Sequence, residues 1–210
     1  MAQGSENSSI IHPTLHHFGV TTLHLEEMVD WYAKVLGMVT VHQSSAPLGK
    51  GAPLSASAVW VANDRANHRI GLISASILKD DPIKHTLSRL QHVAFEYATI
   101  DDLLNTYTRL KGLGIEPLLA ADHGPTTSLY YEDPDGNSVE LLVDNFGNWD
   151  ESSEFMRTSP EFAAKPMGTY VDPGKLVAAR KAGMSFAELH RRAYAGEFPP
   201  SGPVDPRVLM

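Results

Sequence analysis

The chain has no cysteine, and none of its apolar stretches is long enough to cross a bilayer. The lack of cysteine excludes disulfides, thiolate metal sites and a cysteine nucleophile. Basic residues are also scarce, with 17 Lys and Arg against 25 Asp and Glu, and the net charge of −8 argues against nucleic acid and anionic membranes as partners. The polar N-terminus has no signal-peptide core, so together with the missing cysteines it favours a cytoplasmic location.

What the chain does have is a hydrophobic share of 42%, ample for a packed core, and ten histidines. Its 210 residues fit one domain, or one domain with a tail. We predict a flexible arm over residues 1–12, a folded domain over residues 13–144 and a C-terminal extension over residues 145–210. Helical spacing marks residues 174–183 and 186–194 within the extension, which could cover one mouth of the domain, contact a partner subunit or simply pack on the surface.

The predicted domain contains an internal duplication. One copy begins with His17-Phe-Gly-Val-Thr-Thr and the other with His92-Val-Ala-Phe-Glu-Tyr. In each copy a Tyr follows the His by 15 positions and a Gly follows it by 20. Residues 13–76 and 88–144 each read as a strand, a helix and three more strands. The predicted fold class is therefore α+β, built from paired βαβββ modules.

The spacing of apolar residues places the individual elements. Helices are predicted over residues 25–36 and 100–111, and Gly37 is suited to end the first of them. Residues 44–51 read as a loop and Asp133-Pro-Asp-Gly136 as a tight turn. The predicted strands cover residues 15–22, 38–42, 56–62 and 68–74 in the first copy, and 90–97, 115–120, 126–132 and 138–144 in the second.

Two histidines and a glutamate form the candidate metal site. His17 and His92 begin the two copies, and Glu140 lies in the last apolar run of the second. Because successive strand residues point to opposite faces, all three can point away from the helices, whereas His16 would fall on the core side. Two imidazoles and one carboxylate are the facial triad that holds ferrous iron and leaves coordination positions open. Any one histidine alone could be a hydrogen-bonded or exposed residue, but the shared repeat position favours a metal site.

This duplicated pattern resembles the vicinal oxygen chelate superfamily, which includes glyoxalase I, fosfomycin and bleomycin resistance proteins and the extradiol ring-cleavage dioxygenases. The resemblance covers about residues 13–144. It implies that the two modules form a curved mixed sheet around one metal, with a complete site in each chain. Glyoxalase I typically adds a carboxylate ligand late in the first module, and the corresponding residues 68–73 contain none. A three-ligand His/His/Glu site is the one that extradiol dioxygenases use.

The resemblance to extradiol dioxygenases implies catalytic roles for three further residues. Tyr130, ten positions before Glu140, would donate a hydrogen bond to the catecholate oxygen near the metal. His68 would act on bound dioxygen as an acid/base group, and His123 would contact a substrate hydroxyl. The alternatives are core packing for Tyr130 and an ordinary surface position for either histidine.

The function implied by the resemblance is extradiol, or meta, ring cleavage, in which both atoms of O2 are inserted into a catechol. The implied cofactor is Fe(II), with Mn(II) as the alternative, and the implied partner is a small aromatic diol. A homo-oligomer is expected, since closed assemblies are common. Two other functions stay open: a metal-dependent lyase, isomerase or epimerase on the same fold, and a binding or resistance protein that sequesters a small aromatic compound or antibiotic.

Overall fold

The computed structural model describes residues 11–47 and 55–209 and contains two modules of matching order. The α+β class predicted from the sequence is confirmed. Residues 1–10 of the predicted arm lie outside the described residues. The first module consists of β1 (Phe18–Thr21), α1 (Leu25–Leu36), β2 (Val39–Pro47), β3 (Ser55–Ala62) and β4 (Ile70–Ala75). The second consists of β5 (His92–Glu96), α2 (Ile100–Gly112), β6 (Leu119–Asp122), β7 (Thr126–Glu132) and β8 (Ser138–Asp144).

Local sequence explains where the helices begin and end. Helix α1 covers the predicted range and ends at Gly37, whose φ of 65° lies in the left-handed region that glycine adopts without strain. Helix α2 begins after Thr99, whose side chain accepts a hydrogen bond from the backbone N–H of Asp102. These ends fix which apolar residues of each helix face the sheets.

The first half of the predicted loop over residues 44–51 is wrong, because β2 continues to Pro47. Residues 44–47 pair with β3, and the hydroxyls of Ser45 and Ser57 lie 2.9 Å apart across the two strands. This cross-strand pairing outweighs the turn-like local composition. The rest of that loop, residues 48–51, lies outside the described residues.

The strands form two sheets, one in each module. The order is β1-β4-β3-β2 in the first sheet, and β5-β8-β7-β6 in the second, which is extended by a short strand β9 (Thr169–Tyr170). Within the described residues no strand ladder joins the two sheets. Instead their edge strands β1 and β5 flank a cavity of about 260 Å³, and the ring centroids of Phe18 and Phe95 are 6.3 Å apart.

Both modules contribute to one hydrophobic core. Met28 and Tyr32 of α1 and Leu103 and Leu110 of α2 belong to the same buried cluster, which lies on the helix side of the sheets. The Tyr32 hydroxyl also donates a hydrogen bond of 3.1 Å to Asp133 in the turn between β7 and β8. The modules are therefore joined by apolar packing and by a buried polar contact.

The C-terminal extension folds back on the second module. Strand β9 pairs with β6, and Leu176 and Leu189 are buried in the shared core. The first two helices of the extension, which begin after the capping residues Asn148 and Ser159, were not predicted from the sequence. No helix within the described ranges is long and apolar enough to cross a membrane. The extension contains α3 (Trp149–Thr158), α4 (Pro160–Ala164), α5 (Pro173–Lys181), α6 (Phe186–Tyr194) and a 3₁₀ turn (Pro206–Leu209).

Candidate metal centre and active site

The centre of the candidate site is Glu140, in the middle of β8. Strand β8 pairs with β5 in parallel and with β7 in antiparallel fashion, and Tyr130 lies directly opposite Glu140. His92 Nε2 is 2.9 Å from Glu140 Oε2, and the Tyr130 hydroxyl donates to Glu140 Oε1 over 2.9 Å. Each oxygen of the Glu140 carboxylate therefore has a hydrogen-bond partner, one from β5 and one from β7.

His123 extends this hydrogen-bonded chain. It lies in the loop between β6 and β7, and its Nε2 is 2.9 Å from the Tyr130 hydroxyl. Its Nδ1 is 3.0 Å from the backbone carbonyl of Met167, which belongs to the C-terminal extension. His92, Glu140, Tyr130 and His123, four of the residues singled out from the sequence, therefore form a continuous polar chain on one face of the second sheet.

The electrostatics of this chain follow from burial and hydrogen bonding. Glu140 is 5% exposed, and its burial raises the pKa of the carboxyl, but hydrogen bonds from His92, Ser128 and Tyr130 outweigh burial and hold that pKa below its usual value. The hydrogen bond to Glu140 raises the pKa of His92 against the opposing effect of burial. Burial, and then the charge of Glu140, raise the pKa of Tyr130 far above its usual value. Glu140 is thus a carboxylate and Tyr130 a neutral donor at neutral pH.

His17 and His68 form a second group, with His16. His17 immediately precedes β1, His68 lies two residues before β4, and the centroids of their rings are 4.2 Å apart. His16 Nδ1 lies 2.8 Å from His17 Nδ1. Desolvation, followed by the charges of His17 and His16, lowers the pKa of His68, which favours a neutral imidazole. This group contains the two remaining residues singled out from the sequence.

The structure does not bring the three predicted ligands into one cluster. No hydrogen bond or ring contact joins His17 to His92 or Glu140. Over residues 11–47 and 55–209, no group of three or more His, Asp or Glu side chains is arranged to hold a metal ion. The third ligand from the first module therefore stays a prediction.

His92 and Glu140 nonetheless fit two neighbouring ligands of a divalent ion. Ligand atoms about 2.1 Å from an ion, at right angles to each other, are about 3.0 Å apart. The Nε2–Oε2 distance of 2.9 Å matches that separation. An imidazole nitrogen and a carboxylate oxygen are donors that suit iron and other first-row divalent ions. Tyr130 occupies the other oxygen of Glu140, so Oε2 is the one directed toward a shared ion.

Three groups that orient the two histidines of this polar chain were not predicted from the sequence. Gln91 places its side-chain oxygen against His92 Nδ1 and its side-chain nitrogen against the Val208 carbonyl. The Met167 carbonyl lies against His123 Nδ1. Gln91 could have been identified from its position next to His92. Backbone carbonyls that are distant in the sequence give no such signal.

Comparisons with known proteins identify the family of this chain. The profile of the Glyoxalase/Bleomycin resistance protein/Dioxygenase superfamily matches residues 14–141. The chain is 36% identical over 198 residues to biphenyl-2,3-diol 1,2-dioxygenase 2 of Rhodococcus globerulus, covering 94% of this chain and 97% of that protein. It is also 36% identical over 186 residues to biphenyl-2,3-diol 1,2-dioxygenase 3 of the same organism, covering 87% of this chain and 90% of the relative. The superfamily predicted from the sequence is confirmed.

A solved structure supports the fold. The glyoxylase/bleomycin resistance protein/dioxygenase domain from Frankia sp. EAN1pec superposes with a TM-score of 0.50, covering 64% of this chain and 93% of that chain at 18% identity.

Proposed function

The chain belongs to the Glyoxalase/Bleomycin resistance protein/Dioxygenase superfamily, and from this membership we propose that it is an extradiol dioxygenase that opens the ring of a vicinal aromatic diol. The observation that carries the proposal is the chain of His92, Glu140 and Tyr130, which offers a two-ligand metal site with a protonated hydroxyl beside it. Two relatives of near-equal length are biphenyl-2,3-diol 1,2-dioxygenases, which favours a diol of this class as substrate.

We propose that the metal is Fe(II), held by His17, His92 and Glu140. Bound iron would supply the electron transfer between diol and dioxygen that no side chain provides. His17 is the ligand from the first module, and β1, which it precedes, faces β5 across the cavity between the sheets.

The surrounding side chains would transfer protons and orient the substrate. Tyr130 keeps its proton, and its single O–H, which donates to Glu140 Oε1, could turn to an anionic substrate oxygen next to the metal and orient it. His123 is held through Nδ1, and its Nε2 lies beside Tyr130. If the substrate displaced that contact, an unprotonated Nε2 could take a proton from a substrate hydroxyl. The lowered pKa of His68 makes it a neutral imidazole suited to proton transfer near the oxygen-binding position.

The deciding experiment combines metal and oxygen measurements. Protein reconstituted anaerobically with Fe(II) or Mn(II) is mixed with catechol, 3-methylcatechol or 2,3-dihydroxybiphenyl, and ring opening is followed by visible absorbance together with O2 uptake. We expect a yellow product and one O2 consumed per diol. Protein that holds stoichiometric iron yet opens no diol in the panel would refute the proposal.

Matched histidine variants separate this function from the alternatives. We expect His17→Ala, His92→Ala and Glu140→Gln to lose bound iron and ring opening together, whereas His12→Ala, an exposed residue before β1, retains both. Turnover of another substrate without O2 would instead favour a lyase, isomerase or epimerase. Tight diol binding that survives His17→Ala without any turnover would favour a sequestering protein.

A further inference from the structure

The last turn of the chain packs directly on the candidate site. Val208, in the 3₁₀ turn Pro206–Leu209, is 3% exposed and belongs to a small buried cluster with Leu119, Ala121 and Tyr130. Leu119 is paired with Tyr130, and Tyr130 with Glu140, so the three form one row across β6, β7 and β8. Because paired residues point to the same face, Val208 covers the face that carries Glu140.

The same residue is tied to His92 through a side-chain amide. The Gln91 side-chain N–H donates to the Val208 carbonyl, which can only accept. This contact fixes the orientation of the amide and directs Gln91 Oε1 to His92 Nδ1. An amide oxygen is also only an acceptor, so Nδ1 must carry a proton.

That proton decides which nitrogen of His92 can bind a metal. With Nδ1 protonated, Nε2 is the nitrogen available to a metal, once it has lost the proton that it donates to Glu140. His92 Nε2 is the atom that lies 2.9 Å from Glu140 Oε2. Metal-binding histidines generally donate their other ring N–H to a fixed acceptor, which sets the tautomer and ring orientation.

The C-terminal extension also orients His123, the second histidine of the polar chain. The Met167 carbonyl accepts from His123 Nδ1, which leaves Nε2 facing the Tyr130 hydroxyl. Two backbone carbonyls of the extension therefore orient, directly or through Gln91, the two imidazoles at the ends of the polar chain.

We propose that the C-terminal turn Pro206–Leu209 is part of the active site: it positions His92 for metal binding through Gln91, and it forms the apolar wall of the substrate pocket beside Tyr130. Gln91 is a positioning residue that acts through His92, while Val208 contributes the wall. The proposal rests on the proposed function for the nature of the substrate, but the positioning of His92 can be measured without turnover.

The positioning half is tested with Gln91→Met, Gln91→Glu and the control Gln43→Met, an exposed residue of β2. Fe(II) affinity is measured by chelator competition, and the hydrogen-bonded Nδ1–H of His92 by two-dimensional ¹H–¹⁵N NMR of the metal-free protein. We expect Gln91→Met to weaken Fe(II) binding about 10- to 100-fold and to lose the NMR signal of the hydrogen-bonded Nδ1–H. Gln91→Glu still accepts from Nδ1–H but cannot donate to the Val208 carbonyl, so it should keep the Nδ1–H signal and recover only part of the Fe(II) affinity, and Gln43→Met should change neither.

An unchanged Fe(II) affinity and Nδ1–H signal in Gln91→Met would overturn the positioning role of Gln91. Full recovery of Fe(II) affinity in Gln91→Glu, which cannot donate to the Val208 carbonyl, would show that the C-terminal turn takes no part in positioning His92. Both readouts are independent of ring opening. If the wild-type protein opened no diol while Gln91→Met still lost iron, the function proposed above would fail and the positioning of His92 would stand.

The wall half is tested with Val208→Ala and Val208→Phe. We expect the ratio of kcat/KM for 2,3-dihydroxybiphenyl over catechol to rise severalfold in Val208→Ala and to fall severalfold in Val208→Phe, because a buried wall residue sets the room for a ring substituent. Equal changes for both diols, in either variant, would show that Val208 does not line the pocket.

Discussion

Tyr130 and Glu140 lie directly opposite each other in β7 and β8, and the Tyr130 hydroxyl donates to Glu140 Oε1 over 2.9 Å. Their separation of ten residues in the sequence is therefore a cross-strand pair, set by the tight turn that follows β7. Gly136 in that turn has a φ of 75°, a conformation that favours glycine. A shift of one residue in register would turn one of the two side chains to the opposite face.

Tyr130→Phe tests the role of this hydroxyl. A hydrogen bond to a charged group contributes about 1.5–3 kcal/mol, so its loss should lower kcat for diol cleavage about 10- to 100-fold. Fe(II) affinity should change little, because the Glu140 oxygen that faces His92 is untouched. Steady-state kinetics and chelator competition on the same preparations measure both.

The control for this prediction is Tyr131→Phe. Tyr131 is the next residue of β7, points into the hydrophobic core and has a buried hydroxyl with no hydrogen-bond partner among the described residues. Removing a hydroxyl that has no partner should leave kcat unchanged and stability equal or higher. Equal losses of kcat in the two variants would contradict a specific role for Tyr130.

The pair of His92 and Glu140 should give the metal-free protein a pH-dependent stability. The lowered pKa of Glu140 means that its contribution is present above the ordinary value of 4.5 and is lost as the pH falls through the lowered pKa. The raised pKa of His92 means that its contribution is present below 6.5 and is lost as the pH rises through the raised pKa. The pair therefore stabilises the fold most at roughly pH 5–6.

Thermal melts of metal-free wild-type and Glu140→Gln protein across pH 3.5–9 measure this window. The difference in Tm should be largest at roughly pH 5–6 and smaller on both sides. Because the His92 side chain is 34% exposed, solvent screening keeps the effect modest. A Tm difference that is constant over the whole range would show that the two groups are not coupled in the folded state.

The sequence predicted the elements whose pattern is local. Strands β7 and β8 were predicted at their observed bounds, because alternating apolar residues and a strong turn signal coincide there. Strand β2 was predicted too short and helices α3 and α4 were missed, because cross-strand pairing and capping decide them. The family and fold class needed only the duplicated pattern and were confirmed.

For the site, strand alternation could indicate which face a residue occupies but not distances between strands that do not pair. It predicted a common face for His92 and Glu140, which lie on the paired strands β5 and β8. It could not predict how far His17 lies from them, because β1 and β5 share no ladder among the described residues. The contacts made by the Met167 and Val208 carbonyls could not be predicted, because a backbone carbonyl is present in every residue and leaves no signal in the sequence.

Gly168→Ala tests the junction between the extension and the His123 loop. Gly168 has a φ of 69°, and an added Cβ would lie 2.0 Å from the Asp122 carbonyl oxygen and 2.5 Å from His123 Cα. The backbone must shift to relieve this contact, and with it the Met167 carbonyl that holds His123. We expect a loss of more than about 2 kcal/mol of unfolding free energy, measured by urea denaturation, together with reduced kcat.

Gly183→Ala is the matched control, because Gly183 has a φ of 92° but nothing within 4 Å of an added Cβ. Its unfolding free energy should fall only by the cost of the left-handed conformation, about 1–2 kcal/mol, and its kcat should be normal. If Gly168→Ala were no more destabilising than Gly183→Ala, the close approach to Asp122 would not be a constraint in solution.

Tyr32→Phe tests the polar contact between the modules. The Tyr32 hydroxyl donates to Asp133 Oδ2, a carboxylate that also accepts from the backbone N–H groups of Asp135 and Asn137 in the turn that sets the register of β7 and β8. Burial raises the pKa of Asp133 despite these donors. Loss of one donor to a buried carboxylate should destabilise the fold by about 1–3 kcal/mol at pH 7.

The pH dependence of that loss identifies its cause. A carboxyl whose folded pKa is raised destabilises the fold once the pH exceeds the unfolded value of 3.8, and removing a donor raises the folded pKa further. The destabilisation by Tyr32→Phe should therefore be larger at pH 7 than near pH 4. Tyr107→Phe, at the repeat-equivalent position, is the control, because its hydroxyl accepts only a long contact of 3.4 Å from Lys111. Equal, pH-independent losses of unfolding free energy in both variants would mean that Tyr32 acts through packing alone.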